Sequence, residues 1–364
     1  MDIATIELSE LRHQPDSAAP TQEVLPDTAV VASELAPVDR GRDAWTFVAS
    51  SFILETFLWG FAFCFGIFQN YLVSNPASPF YGSSNTAISI IGTCSLAVQY
   101  GFGFFPVMPI FSLYPHHVKT MLWSSLGVAC GALVLSSFAT KIWHLILLQG
   151  VVLGAAGGAL YGPVLLWLPE WFVERRGLAG GIIFAGTGIG GGLFPVLLGT
   201  LLERTGFRWT MRIWAGLVTV FAGTALWVVK PRIRPSRARG ARMAPVDWSF
   251  FKNRTFAVVG MTVFIQALAF FPVSLYLPAY TASLGLPAVD GQLVLSTFNI
   301  FSVLGQVIFG YLCDKVSYSQ VILISSVGSA LAAYLLWGFA RNLSLVFAFV
   351  VVFGTLGGGF SSIG

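Results

Sequence analysis

The residues able to do chemistry at depth in this chain are few, because its long apolar runs carry almost no charge. Glu55 is the exception. It follows Trp45 by ten residues within one such run, about 15 Å along a helix at 1.5 Å per residue, which is near the middle of a bilayer. A carboxylate at that depth faces a cavity or a partner. It can take up and release a proton, or stay protonated and hydrogen-bond a neighbouring helix for packing alone; the sequence leaves both readings open. No intramembrane lysine or arginine stands ready to pair with it. The next polar side chains inside the runs are Gln99, Tyr161, Gln266, Asn299 and Gln306. Lining a cavity, they would orient a neutral or weakly polar solute, with Phe63, Phe184, Phe270 and Phe271 as apolar walls. Packed between helices, they would serve interhelical hydrogen bonds only.

A second set of residues sits where runs begin and end. Arg175 and Arg176 close a short charged turn and open an uncharged stretch whose glycines fall four apart: Gly177 with Gly181, Gly186 with Gly190, Gly188 with Gly192. On a helix such pairs make a groove that lets another backbone come close, which matters in lipid, where apolar burial gives helices no net drive to associate. Asp314 and Lys315 follow Gly310 at the end of another run. An aspartate there can accept from the exposed amides of the next helix's N-terminus and pair with a base, holding one state of a moving protein shut. A topogenic charge pair is the simpler alternative. No nucleophile with a base, no Walker loop and no HExxH pattern occurs. The GxGxxG-like spacing around Gly186 lies inside an apolar helix rather than after a strand, so it is no nucleotide fingerprint. His116 and His117 share a turn without further ligands, and the four cysteines fall singly inside apolar runs. We therefore expect no enzyme, no cofactor and no metal.

These residues must be positioned by membrane-spanning helices. The composition is 55% hydrophobic and 10% charged, with a mean hydropathy of +0.77, far outside the soluble range. Runs of about 20 residues, enough to cross roughly 30 Å of hydrocarbon, recur from Trp45 onward. They predict ten helices near 45–72, 87–111, 119–140, 143–168, 177–202, 209–230, 255–280, 291–313, 319–340 and 343–364. Residues 1–43, rich in Pro, Ala, Ser and acids, read as a disordered cytoplasmic tail. The Pro-containing basic stretch 231–254 reads as a cytoplasmic loop dividing a six-helix half, 44–230, from helices 7 to 10 at 255–364. Lysines and arginines concentrate on the tail's side, which the positive-inside rule places in the cytoplasm. Trp45, Trp143, Trp171, Trp209 and Trp227 fall at predicted helix ends, at headgroup level. No basic patch interleaved with aromatics points to nucleic acid.

Three segments carry a family resemblance. Asp43-Ala44-Trp45, with Gly60-Phe61 and Phe65-Gly66-Ile67-Phe68, is similar to a first-helix signature. Trp171-Phe172 through Arg175-Arg176-Gly177-Leu178-Ala179-Gly180-Gly181 and Ala185-Gly186-Thr187-Gly188 resembles a fifth-helix signature. Gly310-Tyr311-Leu312-Cys313-Asp314-Lys315 resembles a loop between helices 8 and 9. Together they resemble the major facilitator superfamily and, within it, the fungal branch of the monocarboxylate-porter-like family. The resemblance implies an all-α polytopic membrane protein of twelve helices in two related halves. Here it implies a complete six-helix N-terminal half and a four-helix C-terminal half, with helices 11 and 12 expected to be missing. It further implies secondary transport of a small organic solute by alternating access, Gly177, Gly181, Gly186 and Gly190 letting the fifth helix slide on the eighth near Gly310.

Members that carry lactate with a proton use a first-helix lysine and an aspartate–arginine pair in helix 8. Phe63, Ser302 and Gln306 occupy those positions here, so a fixed positive partner for a carboxylate is lacking. A neutral or weakly acidic solute is expected instead, with a proton as candidate co-substrate through Glu55 and the plasma membrane as the default location. The alternative is a non-transporting product, truncated or acting as a nutrient sensor on the same fold.

Overall fold

The computed structural model describes residues 36–233 and 252–360, and everything below belongs to one unit, Pro37–Gly364. The side chains of Phe63 and Phe271 lie outside the described residues, as do residues 1–35 of the expected tail and most of the expected loop. The described residues are helical nearly throughout. α1 (Arg42–Phe63) and α2 (Phe65–Ser74) form one rod broken at Cys64. α3 (Asn85–Phe102) continues through a π turn at Gly103–Val107 into α4 (Met108–Leu113), and Pro106, which has no N–H to donate, sits inside that widened turn. α5 (Val118–Ser136) follows a 3-10 turn at Pro115–His117. α6 (Ile142–Leu145) joins α7 (Leu153–Trp171) through a second π turn at Ile146–Val152.

α8 (Arg176–Val228) is 53 residues long but is two arms folded at Gly206, whose φ of 72° and ψ of 170° no other residue adopts without strain. The turn expected over 203–208 is thus a single glycine. After the division come α9 (Arg254–Ser283), α10 (Ala288–Cys313), α11 (Tyr318–Leu335) and α12 (Leu343–Gly359). The span expected to reach residue 340 ends its α-helix at Leu335 and finishes as a 3-10 turn, Trp337–Phe339. Among the described residues seven helices are long and apolar enough to cross a membrane, one of them the folded α8; the apolar stretches Arg254–Phe270 and Leu343–Gly359 are shorter. This is an all-α polytopic membrane protein.

Small residues set the tightest contacts. A methyl on Gly154 would lie 2.7 Å from the Ser95 carbonyl oxygen, and one on Gly158 would lie 2.9 Å from the Gly103 nitrogen, so α7 runs against α3 backbone to backbone. In the later helices Val273, Leu277, Phe298, Phe349 and Phe353 form a closed apolar core. Asn342 caps α12 by accepting from the Leu345 amide at 2.9 Å. The first arm of α8 lies between α1 and α10 and touches both through glycines. One tryptophan departs from expectation: Trp171 is 1% exposed, and its indole donates to the Lys230 carbonyl at 3.0 Å rather than facing headgroups.

Candidate functional site

Glu55 is buried, 4% exposed, on the face of α1 that meets α8. The Thr187 hydroxyl donates to its Oε1 at 2.9 Å, while Oε2 has no hydrogen-bond partner among the described residues. Thr187 is brought there by its neighbours. A methyl on Gly186 would sit 2.7 Å from the Phe52 carbonyl oxygen, and one on Gly190 would sit 2.7 Å from both the Gly60 Cα and the Thr56 oxygen, so two α-helical backbones touch on either side of the threonine. No cation neutralises the carboxylate: the salt bridge among the described residues is the exposed Lys230–Asp43 pair at 3.2 Å. One turn beyond Glu55, Trp59 packs on Tyr100 at 4.4 Å and meets Tyr161 edge-on at 5.5 Å. Both phenols lie within electrostatic range of Glu55. Trp59 and Tyr100 are not among the candidates expected from the sequence, although Trp59 lies at i+4 from Glu55 and so on the same helical face.

The expected cavity residues that the structure describes do not share one cavity. Gln99 and Tyr161 line one cleft with Trp59 and Tyr100 between α1, α3 and α7, and Glu55 lies one turn before Trp59 with its hydrogen bond to α8. Gln266, Phe270 and Ser302 do not join them, because packing in the later helices already uses their contacts. Gln266 Nε2 donates to the Gly357 carbonyl at 3.3 Å, Phe270 stacks on Phe298 and Phe353, and the Ser302 hydroxyl donates to the Phe298 carbonyl at 2.8 Å. Asn299 and Gln306 sit on α10 facing α8. Asn299 Nδ2 donates to the Gly191 carbonyl at 3.3 Å, and the Gln306 backbone lies against Gly181. Phe184 is half-buried in α8 beside Gly180. The cleft between Trp59, Gln99 and Tyr161 is too narrow for a solute, whereas a groove of about 310 Å³ opens at the end of the first arm of α8 beside Tyr71, Asn75 and Glu203.

The start of α8 is held from two sides. From before α1, Asp39 accepts from the amides of Val173, Glu174 and Arg175 at 2.9 to 3.1 Å. From the end of α10, Asp314 Oδ1 accepts from Gly177 N at 2.7 Å and Oδ2 from Leu178 N at 2.8 Å. A carboxylate on free first-turn amides satisfies both the orphan donors and the helix dipole. Asp314 therefore caps α8, not the next helix α11 as expected, and among the described residues it makes no salt bridge. Asp39, 6% exposed with a φ of 58°, falls within the expected tail, yet the fold already begins there. Its signal was the Asp39-Arg40-Gly41 turn before α1, since aspartate tolerates the left-handed region. Arg175 and Arg176 are exposed, and Lys315 lies over the Tyr311 ring at 5.9 Å. Methyls on Gly177, Gly181 or Gly310 would run into the facing backbone of the α8–α10 seam.

Comparison with known proteins agrees with this architecture. The profile of the Major Facilitator Superfamily matches residues 49–364. The chain is 28% identical over 330 residues to "MFS-type transporter 1" of Ophiocordyceps sp., covering 89% of this chain and 71% of the relative. It is 29% identical over 328 residues to "Probable transporter MCH2" of Saccharomyces cerevisiae, covering 88% and 67%. It is 26% identical over 343 residues to the "Fujikurins efflux protein" of Gibberella fujikuroi, covering 92% and 70%. With four-fifths or more of its length matched to the superfamily profile, an all-helical fold and a glycine seam between helix groups, this chain belongs to the Major Facilitator Superfamily.

Proposed function

We propose that the protein is a secondary transporter that moves a small organic solute, neutral or weakly acidic, across a membrane by alternating access. The observation that carries this reading is the Asp314 clasp, in which a carboxylate at the end of α10 caps the glycine-lined start of α8. It ties the two helix groups together through contacts that can be made and released as a unit, as a carrier needs in order to expose one site to two sides. Arg175, Arg176 and Lys315 flank that clasp and fix this end at the cytoplasmic face, with the N-terminus on the same side, by the positive-inside rule. The membrane is the plasma membrane, and the relative named for efflux supports outward movement.

Glu55 is the proton site of this transporter. Its support is burial without a cation and one carboxylate oxygen left for a proton or a solute. The test is flux through the purified full chain in proteoliposomes under an imposed pH gradient, with a panel of neutral and weakly acidic organic solutes. We expect a solute to accumulate in wild type, and Glu55→Gln to abolish accumulation while leaving downhill exchange. pH-dependent accumulation unchanged in Glu55→Gln removes the proton role. A complete absence of flux would replace the carrier by a non-transporting sensor.

A further inference from the structure

We propose that the cleft beside Glu55 recognises the carbonyl oxygen of a neutral organic solute through two N–H donors, the Trp59 indole and the Gln99 carboxamide. The inference depends on the transporter reading for its purpose, not for its geometry. Trp59 and Gln99 are each 4% exposed, and neither Trp59 Nε1 nor Gln99 Nε2 has a hydrogen-bond partner among the described residues. Both residues line the same cleft, which Gly103, Gly158, Tyr100 and Tyr161 help to enclose. Buried donors are nearly always paired. Elsewhere Gln149, 3% exposed, donates to Met211 Sδ at 3.3 Å and the buried Trp171 indole donates to the Lys230 carbonyl; the Trp214 indole is also unpartnered, but it is packed singly among Phe57, Phe61 and Phe194, whereas Trp59 and Gln99 line one cleft. Two unmet donors on one small space therefore call for one acceptor oxygen between them.

The surroundings narrow its chemistry. No lysine or arginine lines the cleft, and Glu55 lies one turn from Trp59, so an anion would meet repulsion and no counter-charge. A neutral carbonyl meets neither obstacle. The Tyr100 and Tyr161 rings flank the space and suit an apolar or aromatic body. The cleft is closed to solutes here, and its outer wall is Tyr100, 42% exposed and three residues before the π turn that begins at Gly103. π turns inside α-helices are frequent at functional sites.

The test measures binding rather than flux, so it succeeds or fails separately from the transporter reading. Dissociation constants would be measured on the detergent-purified full chain for acetophenone, for its isostere α-methylstyrene, which replaces C=O by C=CH₂, and for benzoate. We expect acetophenone to bind about tenfold more tightly than α-methylstyrene and more tightly than benzoate. Trp59→Phe, which keeps a ring against Tyr100 and Tyr161, and Gln99→Met should each weaken acetophenone by about five- to tenfold, the size of one lost hydrogen bond, and leave α-methylstyrene unchanged. If Trp59→Phe does not yield a monodisperse protein, Gln99→Met reads the second donor alone. Equal binding of ketone and isostere, or a preference that survives in the variants, overturns the proposal and assigns the donors to a buried water. Tighter binding of benzoate overturns the neutral class. Ketone binding without flux would leave the site standing and remove only the carrier.

Discussion

The first arm of α8 presents glycines to two neighbours, and the two contacts differ in what surrounds them. Against α1, Gly186 and Gly190 meet the Phe52 and Thr56 carbonyls and Gly60, and the contact is enclosed by Phe57, Phe61, Phe194 and Trp214, whose ring centroids lie 4.7 to 5.6 Å apart. Against α10, Gly177 and Gly181 meet Gly310 and Gln306, and the added hydrogen bonds are those of Asn299 and Asp314. The same residue type at the same spacing thus serves two ends. Aromatic interlocking makes the first contact costly to open, whereas a backbone seam closed by one carboxylate opens by releasing a few hydrogen bonds together.

The largest expected effect lies on the α1 side. Gly190→Val places a side chain on the Gly60 and Thr56 backbone, which cannot yield, so we expect loss of monodisperse folded protein by size exclusion. A well-folded Gly190→Val would end the distinction between the two contacts. Next come the two aspartates, each worth about 2 kcal/mol as a helix-start acceptor. Asp314→Ala should shift the seam toward its open state by roughly 30-fold. This is readable as faster maleimide labelling of Cys313, which is 6% exposed beside the clasp, in a background with the other three cysteines replaced. Asp39→Ala should instead lower the unfolding temperature and leave Cys313 labelling unchanged, because its bonds join the approach to α1 with the turn between α7 and α8 and do not reach α10. Equal labelling in the two variants would dissolve the comparison. The smallest effect is Thr187→Val, about 0.6 kcal/mol for one interhelical hydrogen bond in a membrane, seen as a slight loss of thermal stability with the seam unaffected.

The spans were legible because each must be apolar for about 20 residues, whatever it packs against. Glu55 was legible for the complementary reason, as a carboxylate among apolar neighbours. Less visible was which partner each residue meets. Periodicity puts Phe270 and Ser302 on a helix face, but only the fold reveals that Phe298 and Phe353 already occupy that face. The fifth-helix glycines announced close contact without saying that it is made twice, on opposite sides of one helix. Asp39 was lost because an acidic, proline-rich approach resembles a tail until its carboxylate finds three amides 134 to 136 residues away.

That last separation bears on how the chain is made. α1 leaves the ribosome long before α8, yet its Glu55 hydrogen bond, its Gly60 contact and the Asp39 clasp beside it all wait for residues 173–190. At about 5–20 residues per second the delay is on the order of 10 s. For that interval the first helix carries its carboxylate without the hydrogen bond that Thr187 will donate, so the newborn helix waits with an unmet polar group until the fifth helix arrives to receive it.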